Sequence, residues 1–299
     1  MRTIQLVLFS VSVIGGLSAC MSESADPSAD KYKENDAEIQ AYVSRTTEVA
    51  SGTLAASRLY YKITRPNPTG KLATVGEELE FTYKATNLQG QHVDSTRAAA
   101  PVYYPLGIRS VFPGLEQGLS LMREGERAIL LMPSYLAYND QARPNLPAYS
   151  VVRFDVALAL SRSEDRQIND HIAARKLTVT ETTTSGVRFI RTSPPTSATA
   201  AVPAAGQTLS IRYLGKQLRT ATAFDSTTGP ETREFVLGQN RSIKGFEEGL
   251  AKLKVGEKAT IIFPSSLGYG VQGFVKSNQY VITPYAPLRF DLELVSVKP

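Results

Sequence analysis

The chain has no tryptophan, one cysteine and two histidines among its 299 residues, and each shortage removes a class of chemistry. With Cys20 alone there can be no intrachain disulfide, no CxxC redox pair and no cysteine-based zinc site. His92 and His171 are too few to build a histidine metal centre, so neither a metal nor a cofactor is expected. A Walker-type phosphate loop and a G-x-S-x-G nucleophile elbow are both missing, and His92 near Asp94 is a thin basis for a hydrolase triad. No run of Lys and Arg is interleaved with aromatics and the net charge is only +5, so nucleic acid is not an expected partner. With 42% hydrophobic and 20% charged residues, the chain is ordinary globular material, long enough for two cores.

A long apolar span is missing too. Ile4 to Gly16 follows a positive Met1-Arg2 start but is too short to cross a bilayer comfortably. It ends in Leu17-Ser18-Ala19-Cys20, which resembles a bacterial lipobox. That resemblance implies a signal peptide over 1–19 and a diacylated Cys20, with a lipidated tether and short helix over 20–50. The protein would then face the periplasm from the outer membrane of a cell envelope, held there by its lipid anchor.

What the chain does have is a duplication. FPSSLGYG at Phe263 to Gly270 echoes MPSYLAYN at Met132 to Asn139, 131 residues earlier. Tyr83 matches Tyr213, Asp94 matches Asp225, and Gly118 matches Gly249 at spacings of 130 or 131. Phe154 and Phe290 are 136 apart, so five extra residues lie between Tyr269 and Pro284 of the second copy. Leu288, Phe290, Leu292 and Leu294 alternate with polar residues, as do Val152, Phe154, Val156 and Leu158, and both runs read as half-buried strands. A short glycine-flanked helix is expected from Lys244 to Lys252. Further helices are expected ahead of each copy, over Lys33 to Arg45 and Glu164 to Lys176. The class is α+β, with a first domain over 51–161, a linker helix over 162–177 and a second domain over 178–299. Ser/Thr/Pro-rich stretches are expected to separate that linker helix from the core strands of the second domain.

The second copy resembles the FKBP-type peptidyl-prolyl cis-trans isomerases. It carries Tyr213, Phe224-Asp225-Ser226, Phe235-Val236-Leu237-Gly238, Ile243-Lys244-Gly245-Phe246-Glu247-Glu248-Gly249, Pro264-Ser265-Ser266-Leu267-Gly268-Tyr269-Gly270 and Ile282 to Asp291. The resemblance implies two domains, each a twisted antiparallel sheet curled around a short helix. It makes Tyr213, Phe224, Asp225 and Tyr269 catalytic, and gives substrate binding to Ile243, Phe246, Ile282 and Phe290. Phe246 stands where the family usually has tryptophan, and Arg233 where it often has another pocket aromatic.

Physical chemistry agrees with that assignment. Rotation about an X-Pro bond climbs about 18–20 kcal/mol of amide resonance. The planar amide is more polar than the twisted one, so a dry aromatic cup lowers the barrier without nucleophile, acid or metal. The first copy has Val93 for Phe224, Leu115 for Phe246 and Asn139 for Gly270, while Tyr83, Phe112, Tyr138, Leu146 and Phe154 keep the same or a similar type. Activity is therefore expected in the second copy, on proline-containing polypeptides of the envelope, and it would assist the folding of exported proteins. The alternative is a non-catalytic chaperone or assembly lipoprotein that holds such clients.

Overall fold

The computed structural model of the protein describes residues 27–97, 99–197 and 199–298; Cys20 and the expected signal segment lie outside the described residues. The first half comprises helix α1 (Pro27–Arg45), strands β1 (Thr53–Leu54), β2 (Tyr60–Arg65), β3 (Glu78–Thr86), β4 (His92–Ser95) and β5 (Val102–Pro105), helix α2 (Pro113–Ser120), and strands β6 (Arg127–Met132) and β7 (Val152–Arg162). The second comprises α3 (Glu164–Ala174), β8 (Glu181–Thr182), β9 (Arg188–Ser193), β10 (Thr208–Gln217), β11 (Asp225–Ser226), β12 (Arg233–Val236), α4 (Lys244–Ala251), β13 (Lys258–Phe263), β14 (Phe274–Lys276), β15 (Gln279–Ile282) and β16 (Leu288–Lys298). Each half folds its own antiparallel sheet. The order β1-β2-β6-β7-β3-β4 in the first is repeated as β8-β9-β13-β16-β10-β11 in the second, with β5 and β12 branching from β3 and β10. The α+β tandem is thus the observed fold, and the five extra residues of the second copy lie in the β14–β15 hairpin.

The long strands β7 and β16 form the spine because their alternating apolar residues face α2 and α4. Leu288, Phe290, Leu292 and Leu294 are all buried in the second core. On β6 and β13 the alternation disappears: Ala128 to Met132 and Ala259 to Phe263 are buried at every position. A strand buried on both faces needs cover on both. The second cover is a helix.

Helix α1 buries Asn35, Ile39 and Tyr42 at i, i+4 and i+7, and Ile39 and Tyr42 pack on the outer face of the first sheet against Ile129, Leu131 and Val151. Helix α3, capped by the Ser163 side chain on the Arg166 amide, presents Ile168 to Ile190, Leu218 and Ile262 of the second sheet. Burying Ile168 fully is worth roughly 1.5–3 kcal/mol. So α3 is not a free linker: it covers the second domain as α1 covers the first. The same pairing recurs in hydrogen bonds. Asn35 of α1 accepts from the Ser134 amide at 2.7 Å, and Glu164 of α3 accepts from both the Ser265 amide and the Ser265 hydroxyl.

The expected separation of α3 from the core strands also gives way. β9 lies between the two Ser/Thr/Pro-rich stretches and pairs with β13, Phe189 opposite Ile261. Between the domains, Arg219 grips the Glu78 carboxylate with Nε and Nη2 at 2.7 and 2.6 Å and lies over the Tyr103 ring at 3.8 Å. Within the first sheet Arg162 of β7 pairs with Glu78 and Glu80 of β3, and it also reaches Asp170 of α3.

Candidate active site

A cavity of about 660 Å³ opens between β10, β12, α4 and β16 of the second domain. Of the residues singled out in the sequence, Tyr213, Phe224, Asp225, Ile243, Phe246, Tyr269 and Phe290 all line it. Phe246, projected by the first turn of α4, is 5% exposed and forms the floor. Its ring meets Tyr213 at 5.3 Å, Phe290 at 5.0 Å and Phe235 at 5.9 Å. Phe290 is held from behind by a stacked Phe263 at 5.8 Å. Edge-to-face rings packed in this way form a stiff apolar wall.

Phe224 closes one side, its ring T-shaped to Phe290 at 5.5 Å. A glycine makes room for it: a Cβ on Gly215 would lie 2.7 Å from the Phe290 ring and 2.8 Å from the Phe224 ring. Ile282 is placed differently from the expectation. It is 1% exposed within the second core and is not part of the cavity wall.

Polar groups face the space as well, among them Tyr213, Asp225, Arg233 and Tyr269. The Tyr213 hydroxyl donates to Asp225 Oδ2 at 2.8 Å and accepts from Arg233 Nη1 at 2.8 Å. Burial first, then the neighbouring Asp225, raise the Tyr213 hydroxyl above its ordinary range, with Arg233 opposing. Tyr269 is likewise raised, by burial and then by Asp225. Both phenols therefore stay protonated at neutral pH and can donate. Tyr269 hydroxyl has no hydrogen-bond partner among the described residues, so its proton is available to a ligand carbonyl. Asp225 instead fixes Tyr213. No group here is poised as a nucleophile, and the described residues contain no cluster of metal-ligating side chains.

Sequence reasoning missed part of the rim, where Ser242, Arg241, Asn240 and Gln239 come from the loop before α4. Their position just upstream of Ile243 was the available signal. Gly268 to Gly273 spells G-x-G-x-x-G. It runs from a 3-10 turn towards the β14–β15 hairpin instead of opening a helix after a strand, so it is not a dinucleotide fingerprint.

The equivalent place in the first domain is built from the same backbone and closed by different side chains. Tyr83 still donates to Asp94, at 2.7 Å, and stacks on Phe154 at 5.1 Å. Phe112, which stands where the second domain has Ile243, turns inward. Its ring lies 4.6 Å from Tyr138 and 6.1 Å from Phe154. The tyrosine and phenylalanine that would grip a ligand grip Phe112 instead. The Asn139-for-Gly270 exchange has a local cause: both residues adopt left-handed backbone, φ 52° and 58°, which asparagine tolerates better than most. Asn139 also accepts from Tyr32 of α1 at 3.1 Å, a docking contact.

Residues 70–159 and 200–295 match the family of FKBP-type peptidyl-prolyl cis-trans isomerases. The chain is 27% identical over 234 residues to human peptidyl-prolyl cis-trans isomerase FKBP9, covering 78% of this chain and 37% of that protein. It therefore spans little more than a third of that relative's length. It is 43% identical over 94 residues to peptidyl-prolyl cis-trans isomerase FPR2 of Saccharomyces cerevisiae, covering 31% of this chain and 67% of that one. Against FK506-binding protein 1A of Emericella nidulans it is 41% identical over 96 residues, covering 32% of this chain and 84% of the relative.

Proposed function

Because the chain belongs to the FKBP-type peptidyl-prolyl cis-trans isomerase family, we propose that its second domain isomerises X-Pro bonds of client polypeptides. The observation that carries this reading is the open cup of Tyr213, Phe246 and Phe290 beside the unpartnered Tyr269 hydroxyl. A proline ring enters the cup and leaves water behind. The planar amide, with negative charge on its oxygen, loses more solvation than the twisted amide, so the barrier falls. Tyr269 donates to the carbonyl of the rotating amide and Asp225 holds Tyr213 in place. Phe224 and Ile243 flank the proline ring in the cup. Ile282 supports the wall from the core. A thousandfold acceleration requires only about 4 kcal/mol, within reach of desolvation plus one hydrogen bond.

In this reading the first domain serves for packing or client contact without catalysis. The protein assists the folding of exported chains and is anchored through a lipid on Cys20, a proposal that rests on the lipobox-like Leu17 to Cys20 alone. Cys20→Ser should release the protein from membranes or leave the signal uncut; continued membrane association after correct cleavage would count against the anchor. For the activity, Phe224 is the informative position, since its ring is only half-buried. Phe224→Ala should lower kcat/KM on an X-Pro peptide at least about tenfold, whereas Val93→Ala in the first domain should leave it unchanged. An unaltered rate in Phe224→Ala would remove the cup from the mechanism.

A further inference from the structure

We infer that the cup of the second domain prefers prolines flanked by a carboxylate side chain, and that Arg233 and Arg241 at its mouth read that carboxylate; this rests on the cup being the X-Pro site. Arg233 opens β12 with its side chain 66% exposed. It gives one N–H to the Tyr213 hydroxyl and lies 3.7 Å from Asp225 Oδ2. A guanidinium has five N–H donors in a planar fork, so Arg233 keeps donors facing the cavity it lines. Arg241, exposed on the loop before α4, lines the same cavity and has no side-chain partner among the described residues.

The carboxylates at the mouth are already engaged. Asp225 accepts from Tyr213 and faces Arg233, and Glu234 pairs with Lys298 at 2.6 Å. With Lys298 included, three cations stand against two carboxylates, and the unmatched one is Arg241. Floor and rim therefore ask for different things. Below, Phe246 and Phe290 accept only an apolar ring. Above, two guanidiniums offer paired N–H donors to a planar acceptor that can remain partly in water. In the first domain Val102 and Ser110 occupy the corresponding positions, and no such pair exists there.

The test uses the full chain and six short peptides, with Glu, Gln or Lys placed either before or after the proline. Both kcat/KM and equilibrium binding are measured. On one side of the proline, Glu should exceed Gln by about three- to tenfold at low ionic strength, as expected of partly exposed charge pairs. The ratio should fall toward one in about 1 M salt, where the Debye length is about 3 Å. Lys should rank below Gln. Arg233→Gln and Arg241→Gln should each lower the Glu-to-Gln ratio, the double variant should abolish it, and Arg233→Lys should keep part of it. A ratio of one on both sides, or one that survives in the double variant, overturns the inference. Equal turnover of all six peptides would leave the isomerase reading standing and this one fallen. Tighter binding of Glu peptides without turnover would do the reverse. No binding by any peptide would end both.

Discussion

The two domains share a sheet order and a central hydrogen bond, Tyr83 to Asp94 in one and Tyr213 to Asp225 in the other, yet the second holds an open cup where the first packs Phe112 against Tyr138 and Phe154. The difference lies in where each domain puts its rings. The second places Phe224 and Phe246 on wall and floor with an aliphatic Ile243 at the rim, and Gly215 gives Phe224 its space. The first puts the aliphatics Val93 and Leu115 on wall and floor and Phe112 at the rim, with Ala85 at the glycine's place. Ring for ring the inventories are similar. A ring on the wall builds a pocket, and a ring at the rim closes one.

The largest expected effect in this comparison comes from the floor. Phe246→Ala removes a ring packed against three others and should cost the second domain roughly 3–5 kcal/mol of stability together with most of the isomerase activity proposed for it. Leu115→Ala in the first domain should destabilise that domain alone and leave the rate intact. Separate thermal transitions for the two domains, followed alongside kcat/KM, would check this.

Next comes a contrast between the covering helices. His171 on α3 is pushed down to about 4 by burial and by Arg175, Arg289 and Arg219, and α1 carries no histidine. The folded domain refuses a proton that the unfolded chain accepts near pH 6.5. The associated stability is therefore complete above that pH and is lost as pH falls toward about 4. A shift of that size corresponds to about 3 kcal/mol, which water at the half-buried ring reduces to roughly 1–2 kcal/mol. Denaturant unfolding at pH 7 and pH 5 should show the second domain weakening, and His171→Gln should flatten that dependence. An equal pH slope in the variant would assign the effect elsewhere.

Tyr269→Phe keeps the ring and deletes one donor, so the rate should fall by about 0.5–1.5 kcal/mol in barrier, with the fold unaffected. Smallest of all is Gly270→Asn, which installs the residue of the first domain at a position already at φ 58°. Stability and rate should each change by less than about 0.5 kcal/mol. A large loss there would mean that the Gly/Asn exchange, not the placement of rings, separates the two copies.

Much of this was legible in the sequence because the repeat fixes register. Once Tyr213, Asp225 and Phe290 align with Tyr83, Asp94 and Phe154, the alternation on β16 dictates which face is core. The continuous apolar runs on β6 and β13 signalled cover on both faces, but the short length of α3 and its place between the copies suggested a linker. What decided otherwise was tertiary: Ile168 needs Ile262, and Glu164 needs Ser265. The role of Phe112 was hidden for a related reason. Residue type shows that a ring stands at the rim in place of Ile243, whereas the distance to Tyr138 shows that it turns inward. Ile282 belongs to a conspicuous motif, but a motif does not distinguish a wall from the core behind it.

The most direct test of one open and one closed cup is an amide-resolved titration of the full chain with an X-Pro peptide. Shifts should concentrate at Tyr213, Phe224, Phe246 and Tyr269 and leave Tyr83, Phe112 and Tyr138 unmoved until Phe112→Ala opens the first site. Comparable shifts in both domains of the unaltered protein would contradict it.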